Sequence, residues 1–186
     1  AAGNSAYSND ASAGTSDYDR FVPAAAHTAG VGTSTWVTDV DGYNMSPAEA
    51  VFQVALLLKD QDNSSPALST QTLPAGQSAL YADALGTLFH ASNAALAFRF
   101  QAGRPVLNAR FYNTGGGAGT YGMYIEAVDD SRALCGDGNT LGVFHQVRYS
   151  PDPSTGFRTN VGFVNACAFN VQVIIRLYDD RGRFLG

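Results

Sequence analysis

A repeated pattern constrains the fold of this 186-residue chain more than any other feature. Residues 157–179, FRTNVGFVNACAFNVQVIIRLYD, match residues 36–60, WVTDVDGYNMSPAEAVFQVALLLKD, once two residues are dropped. The matched pairs are Trp36 with Phe157, Thr38 with Thr159, Asp39 with Asn160, Val40 with Val161, Asn44 with Asn165, Gln53 with Gln172, Val54 with Val173 and Asp60 with Asp179. Each copy contains two strand-like segments around a short polar turn, which predicts a duplicated β-hairpin. Isolated hairpins are marginal in water, so we expect the two to pack together.

Short apolar segments separated by glycine- and proline-containing turns fill most of the remaining chain. This pattern predicts an all-β fold, an antiparallel β-sandwich of about ten strands in a jelly-roll or Ig-like arrangement. Pro23 cannot donate to a ladder, so the strand over residues 20–26 is expected at a sheet edge. Residues 94–113 are predicted to form a further hairpin. Apolar residues at helical spacing predict one short helix over residues 78–89.

The first 18 residues, AAGNSAYSNDASAGTSDY, are small and polar and show no period. We therefore predict an extended N-terminal tail over residues 1–18, followed by one β-sandwich domain over residues 19–186. A segment without a core of its own becomes ordered by packing on another surface. We expect the tail to clasp a neighbouring subunit, with Tyr7 and Tyr18 as its contacts.

Two features predict a secreted, extracellular or cell-surface location. The chain starts with Ala-Ala-Gly, small residues of the kind left after signal-peptidase cleavage. In an exported protein, its two cysteines, Cys135 and Cys167, are expected to form one disulfide, which stabilises by about 3 kcal/mol for a loop of about 30 residues. The alternative is a pair of free cysteines acting as small core residues.

Charge and hydropathy exclude two classes of partner. The net charge is −5 and the pI is near 4.9, so no basic patch is available for a nucleic acid. No apolar run reaches the ~18 residues that a membrane-spanning helix requires.

No catalytic constellation is visible in the sequence. The histidines, His27, His90 and His145, lie far apart and have no second ligand at metal-binding spacing. The chain lacks a G-x-S-x-G motif, and the glycine-rich segment TGGGAG (residues 114–119) lacks the ending of a phosphate loop. We expect a protein that is not an enzyme and that uses no cofactor.

Two acidic clusters are partly similar to calcium loops. Asp60-x-Asp62-x-Ser64 and Asp39-x-Asp41 both place oxygen ligands at alternate positions, but neither has the closing acidic ligand of a twelve-residue loop. Solvated carboxylates are expected at both clusters, and no metal site is predicted. Calcium at Asp60 and Asp62 is the alternative.

Polar residues recur at matched places of the repeat, namely Thr38 with Thr159 and Asn44 with Asn165. Short polar side chains at strand ends commonly satisfy the backbone of their own turn. We expect this structural role for all of them, with ligand binding as the alternative.

Four blocks of the chain resemble a β-sandwich domain that is common in exported bacterial proteins and is mostly unassigned in function. They are FVPAAAHTAGVGTSTWVTDV (residues 21–40), ARFYNTGGGAGTYG (109–122), FRTNVGFVN (157–165) and RLYDDRGRFLG (176–186). The resemblance implies a secreted or surface location and a structural or adhesive role. It implies no catalytic residues.

These observations together predict a non-catalytic subunit that self-assembles outside the cell into a filament or surface layer through head-to-tail contacts. Its partner would be further copies of the same chain. The alternative is a carbohydrate-binding or adhesion module with surface glycans as partners, because the chain is rich in tyrosine and exposed tyrosines stack on sugars.

Overall fold

A computed structural model describes residues 17–30, 32–115, 119–135, 142–145, 147–148, 159, 161–167 and 169–186. Its regular elements are β1 Arg20–Ala29, β2 Thr35–Tyr43, β3 Ala50–Leu58, β4 Ala67–Leu73, β5 Ser78–Tyr81, α1 Ala84–Phe89, β6 Asn93–Ala102, β7 Val106–Thr114, β8 Gly122–Glu126, β9 Val128–Asp129 and a short 3-10 helix Asp130–Arg132. The predicted all-β class is confirmed. The jelly-roll or Ig-like arrangement stays a prediction.

The strands are antiparallel and follow the hydrogen-bonded order β4-β3-β6-β1-β2-β7-β8, with β5 added to β2 and β9 added to β1. Strand β1 belongs to two ladders, because residues 20–26 pair with β6 and residues 27–29 pair with β2. We call the β4, β3, β6 and β9 side the first sheet and the β2, β5, β7 and β8 side the second sheet. Strand β1 joins the two.

The prediction that Pro23 marks an edge strand is wrong, because β1 has strand partners on both sides. The β1–β6 register shifts between Val22 and Ala25, and Pro23 lies inside this irregularity. A bulge interrupts the ladder, so the missing N–H of proline falls where no ladder bond is required. The same bulge precedes the point at which β1 passes from one sheet to the other.

The predicted hairpin of the first repeat copy is also wrong. Strand β2 pairs with β1, β5 and β7, whereas β3 pairs with β4 and β6, so the two strands never share a ladder. Both edges of each strand are occupied by other partners. The two strands instead contribute Val40 and Phe52 to one apolar cluster, so they meet through side chains. Strands β6 and β7, the other predicted hairpin, likewise lie in different sheets.

The second repeat copy is only partly described, because residues 157, 158, 160 and 168 lie outside the described residues. The described part of residues 157–179 contains no regular strand, so the predicted second hairpin does not appear there. An isolated bridge joins Tyr178 to Phe184. The two copies are alike in the hydrogen bonds of their turns at Asn44 and Asn165.

The helix is shorter than predicted. Residues 78–81 form β5, which pairs with β2 from Tyr43↔Ser78 to Val40↔Tyr81, and α1 starts only at Ala84. Asp83 caps the helix, and its side chain accepts a hydrogen bond from the Gly86 N–H. The strand pairing of residues 78–81 overrides their helical spacing.

Two apolar clusters pack on opposite faces of the first sheet. The larger cluster combines side chains of both sheets and includes Val22, Val40, Phe52, Val54, Leu73, Leu85, Leu96, Phe98, Leu107 and Ala109. The smaller cluster contains Tyr18, Phe21, Ala55, Leu57, Ala95 and Ala97. Each fully buried large side chain stabilises the fold by about 1.5–3 kcal/mol relative to its exposed state. No helix among the described residues has the length and apolar character of a membrane span.

Candidate functional site

A disulfide joins Cys135 to Cys167, as the sequence predicts, across a separation of 32 positions. Cys135 follows the 3-10 helix, and Cys167 is buried. Val164 and Ala166, directly before Cys167, pack against the smaller apolar cluster. The bridge and these contacts together anchor the C-terminal part of the chain on the first sheet.

Tyr18, predicted as a contact of the tail, lies inside the subunit. Its side chain is 6% exposed in the smaller cluster, and the Arg99 guanidinium carbon lies 5.1 Å from the centre of its ring. Burial raises the pKa of the Tyr18 phenol, and the Arg99 cation opposes that rise. Arg99 also donates to the Asp17 carboxylate at 2.8 Å. Tyr7, the other predicted contact, lies outside the described residues.

Exposed apolar side chains concentrate in the C-terminal part of the described chain. Most of the large ones follow residue 120, namely Tyr121, Met123, Tyr124, Leu134, Val143, Phe144, Val147, Val161, Phe163, Phe169, Val173, Ile174, Ile175, Leu177, Tyr178, Phe184 and Leu185. Soluble monomers rarely expose large contiguous apolar patches, and such patches mark interaction sites. The candidate site therefore lies here.

The densest run of these side chains is the segment of residues 169–178, which we call the apolar C-terminal segment. Ile174 and Ile175 are 68% and 61% exposed. Successive residues of an extended segment point to opposite sides. In a strand formed by this segment, Val173, Ile175 and Leu177 would therefore share one side and Ile174 would lie on the other.

The turn before this segment has the same hydrogen bonds as the turn before β3. The Asn44 amide donates to Ala48 O at 2.8 Å, and its Oδ1 accepts from Ser46 N at 3.0 Å. The Asn165 amide donates to Phe169 O at 2.9 Å, and its Oδ1 accepts from the N–H two residues on, also at 2.9 Å. The predicted backbone role of both asparagines is confirmed.

The matched threonines also behave alike. The Ala26 N–H donates to Thr38 Oγ1 at 2.9 Å, and the Arg148 N–H donates to Thr159 Oγ1 at 3.0 Å. The two copies thus share a backbone contact before the turn as well as the turn itself. The apolar C-terminal segment is consequently the counterpart of β3.

A tight turn ends the segment. The Leu177 N–H donates to Gly186 O, and the Asp179 N–H donates to Arg183 O. The Asp179 carboxylate accepts from the Arg183 backbone at 2.8 Å, from Arg183 Nε at 2.6 Å and from the Arg181 N–H at 3.0 Å. The Arg183 backbone and side-chain bonds hold the pKa of Asp179 below its usual range. The backbone hydrogen bonds of this turn begin at Leu177. The residues of the segment before Leu177 have no ladder partner among the described residues.

Strand β8, at the end of the second sheet, is exposed on both faces. Met123 is 62% exposed and Tyr124 is 66% exposed, although neighbouring residues of a strand face opposite sides. Strand β8 pairs with β7, and no other described strand pairs with it. Among the described residues, the edge of β8 that faces away from β7 therefore has no ladder partner. We call it the free edge of β8, and the strand that forms it carries exposed apolar side chains.

A polar cluster connects the helix to the second sheet. Asp39 is buried and accepts from the Asp83 N–H at 2.8 Å, while His27 Nδ1 lies 2.7 Å from Asp83 Oδ2. Burial and the hydrogen bond to Asp39 raise the pKa of Tyr112, over whose ring the Arg110 guanidinium carbon lies at 4.4 Å. Asp39, Asp83 and His27 are linked by these hydrogen bonds, so the cluster holds α1 against β2.

The two acidic clusters lie apart, the one at Asp60 and Asp62 in the turn after β3 and the one at Asp39 and Asp41 within β2. Asp62 accepts from the Ser64 N–H and hydroxyl at 2.9 and 3.0 Å, and Asp60 pairs with Lys59 at 3.4 Å. Asp41 is exposed and Asp39 is engaged as described above. Within the described residues, no group of three or more His, Cys, Asp or Glu side chains is arranged to hold a metal ion.

No family model matches the chain, and no curated protein matches it. A solved structure from Thermotoga maritima, titled "Crystal Structure of Thermotoga maritima 1070", is similar to part of it, with 11% sequence identity and a TM-score of 0.46 over 60% of this chain and 95% of that chain.

Neither the exposure of residues 169–178 nor the free edge of β8 is predicted by the sequence patterns. Residues 169–178 have the composition of a buried strand. Their signal is the placement of Ile174 between Val173 and Ile175, which puts apolar groups on both sides of the segment. Such a strand requires contacts on two faces.

Proposed function

We propose that this protein is a non-catalytic structural subunit that self-assembles into an extracellular filament or surface layer through head-to-tail contacts. One observation carries the proposal: the apolar C-terminal segment has the pattern of a buried strand and is exposed in the single subunit. Removing apolar surface from water stabilises by roughly 25 cal/mol per Å². A second copy that covered this segment would supply the contacts that it lacks.

Polymerisation requires that the segment meet a different surface on the next copy. Such a contact is heterologous, and it produces an open filament when the rotation between subunits does not close a ring. Strand β8 offers a second apolar surface with a free edge, so one subunit carries two complementary surfaces. This arrangement supports a chain of subunits in preference to a symmetric pair.

The extracellular location is supported by the disulfide and by the resemblance to exported bacterial sandwich domains. Disulfides persist in oxidising compartments and are rare in the cytosol. In this proposal, residues 1–16 with Tyr7 act as the clasp on the neighbouring subunit. Tyr18 acts within its own subunit, since its ring is buried.

The proposal is tested with the full chain by negative-stain electron microscopy at increasing protein concentration. Wild-type protein is expected to form filaments or sheets, and Ile174→Asp is expected to abolish them, because a carboxylate would replace an apolar side chain in the contact between subunits. Leu80→Asp is the matched control, since Leu80 is also exposed but lies on β5. Strictly monomeric wild-type protein at all concentrations would refute the proposal.

Glycan binding is the second candidate function, and one surface favours it. Asp41, Asn108, Arg110 and Tyr124 line a shallow groove with a volume of about 460 Å³ on the second sheet. The Tyr124 hydroxyl donates to Asn108 Oδ1 at 2.6 Å, which fixes the position of an exposed ring. Aromatic rings beside amides and carboxylates are suited to stacking on and hydrogen bonding to sugars.

A glycan array separates this candidate from self-assembly. Saturable binding of one glycan class that is lost in Tyr124→Ala but kept in Tyr121→Ala would favour the second candidate. If the protein binds no glycan on the array, glycan binding is ruled out as its function, and the assembly proposal is unaffected.

A further inference from the structure

We infer that residues 170–176 of one subunit add as a strand to the free edge of β8 in a second copy of this chain. The inference depends on the proposed self-assembly and names the contact that produces it. Strand addition supplies backbone hydrogen bonds to both partners, and alternate side chains provide the specificity.

The segment needs ladder partners because of its relation to β3. Both follow a turn with the same asparagine hydrogen bonds, and the repeat places Val173 at the position of Val54. Strand β3 is paired along both edges, by β4 and β6, and Val54 is buried. Its counterpart is exposed and, within the described residues, has no ladder partner before Tyr178.

The edge of β8 is the better acceptor of the two ends of the strand order. Strand β4, at the other end, has the sequence ALSTQTL and presents mainly hydroxyl and amide groups. Strand β8 has the sequence GMYIE, with apolar side chains on both faces. An added strand that is apolar on both sides, as the C-terminal segment is at Ile174 and Ile175, would match β8 on both faces.

The two faces of β8 determine which side chains of the added strand lie beside which side chains of β8. Ile125 lies opposite Ala109 in the β7–β8 ladder and packs against the larger core cluster, so Met123 and Ile125 belong to the core side. Placing Val173 and Ile175 beside them extends the core with apolar side chains. A shift of one residue would bring Ile174 to the core side and turn Val173 and Ile175 outward.

The opposite face provides charge complementarity. Tyr124 and Glu126 lie on the outer side of β8, and the same alternation puts Ile174 and Arg176 on the outer side of the added strand. Glu126 already accepts from Arg132 at 2.7 Å, and Arg176 would add a second cation on the face that carries this carboxylate. Opposite charges on one sheet face stabilise the pairing of two strands.

The inference is tested by disulfide formation between singly substituted full-length chains. Met123→Cys protein is mixed with Val173→Cys or with Ile175→Cys protein, oxidised in air and analysed on non-reducing gels with peptide mapping. Because the two cysteines start on different chains, a bond between them can only join two subunits. Mixing with Ile174→Cys is the control, since that side chain faces the other side.

A covalent dimer in the first two mixtures, with none in the control mixture, is the expected result, and the more efficient of the two partners gives the register of the added strand against β8. Filaments that form without any of these cross-links would overturn the β8 contact and leave self-assembly intact. A Met123→Cys/Ile175→Cys double variant that yields only an internally linked monomer would also overturn it. Wild-type protein that forms no polymer would end both proposals.

Discussion

Asn44 and Asn165 make the same pair of hydrogen bonds at matched places of the repeat. Each donates its side-chain amide to the carbonyl four residues on and accepts from the N–H two residues on. The surroundings differ, because Asn44 is 0% exposed and also donates to Leu73 O at 2.9 Å, whereas Asn165 is only half-buried. The same pair of side-chain hydrogen bonds thus occurs in a turn whose asparagine is fully buried and in a turn whose asparagine is partly exposed.

Asn44→Ala is predicted to destabilise the protein, because it leaves the buried carbonyl of Leu73 without this donor. An unsatisfied buried group costs about 1–3 kcal/mol, and a loss in this range is expected. Urea unfolding followed by circular dichroism measures it. Asn165→Ala is the control and should cost about 1 kcal/mol or less. Equal losses would mean that burial does not distinguish the two turns.

The double substitution Cys135→Ser/Cys167→Ser is predicted to lower the free energy of unfolding by about 3 to 4 kcal/mol, from the loop-closure entropy of a 32-position separation. Denaturant unfolding of the wild type with and without reductant provides the comparison. Reduced wild type and the double variant should unfold at the same midpoint. An oxidised wild type no more stable than the double variant would contradict the anchoring role of the bridge.

Tyr18→Ala is predicted to cost about 3 kcal/mol, because it leaves a cavity in the smaller cluster and removes the ring under Arg99. Tyr121→Ala, on an exposed ring, should change stability by less than about 0.5 kcal/mol. Thermal unfolding of both variants measures the difference. A loss of filaments with unchanged stability in Tyr18→Ala would instead assign that ring to a contact between subunits.

The C-terminal turn is predicted to open in acid. The pKa of Asp179 lies below its ordinary value of 3.8, so its contribution is complete above that value and is lost as pH falls through the lower folded-state pKa. The amide resonances of Arg181 and Arg183, followed by NMR from pH 6 to about 2, should move together with the Asp179 carboxyl. Asp179→Asn should remove this transition. A carboxyl that titrates at or above 3.8 would contradict the hydrogen bonds described for the turn.

The sequence predicted the fold class and two of the strands because both depend on local patterns. The two strand-like segments predicted within residues 36–60 correspond to β2, Thr35–Tyr43, and β3, Ala50–Leu58. The disulfide was predicted from the two cysteines and the expected export, and the backbone role of Asn44 from its residue type and its place at a strand end.

Strand pairing could not be predicted in the same way. Alternating apolar residues show which faces of β2 and β3 are buried, but they do not show which strands lie beside them. The short turn between them suggested a hairpin, whereas Val40 and Phe52 meet across the core. The exposure of Ile174 and Ile175 was missed for a related reason, since a strand awaiting a partner has the same sequence pattern as one already paired.

The measurement that tests the central claim most directly is sedimentation velocity of the full chain over a wide range of concentration. The wild type is predicted to shift to large, polydisperse species as concentration rises, while Ile174→Asp stays monomeric with an unchanged melting temperature and Leu80→Asp behaves as the wild type. A wild-type protein that sediments as a single monomer at every concentration, indistinguishable from Ile174→Asp, would contradict the account.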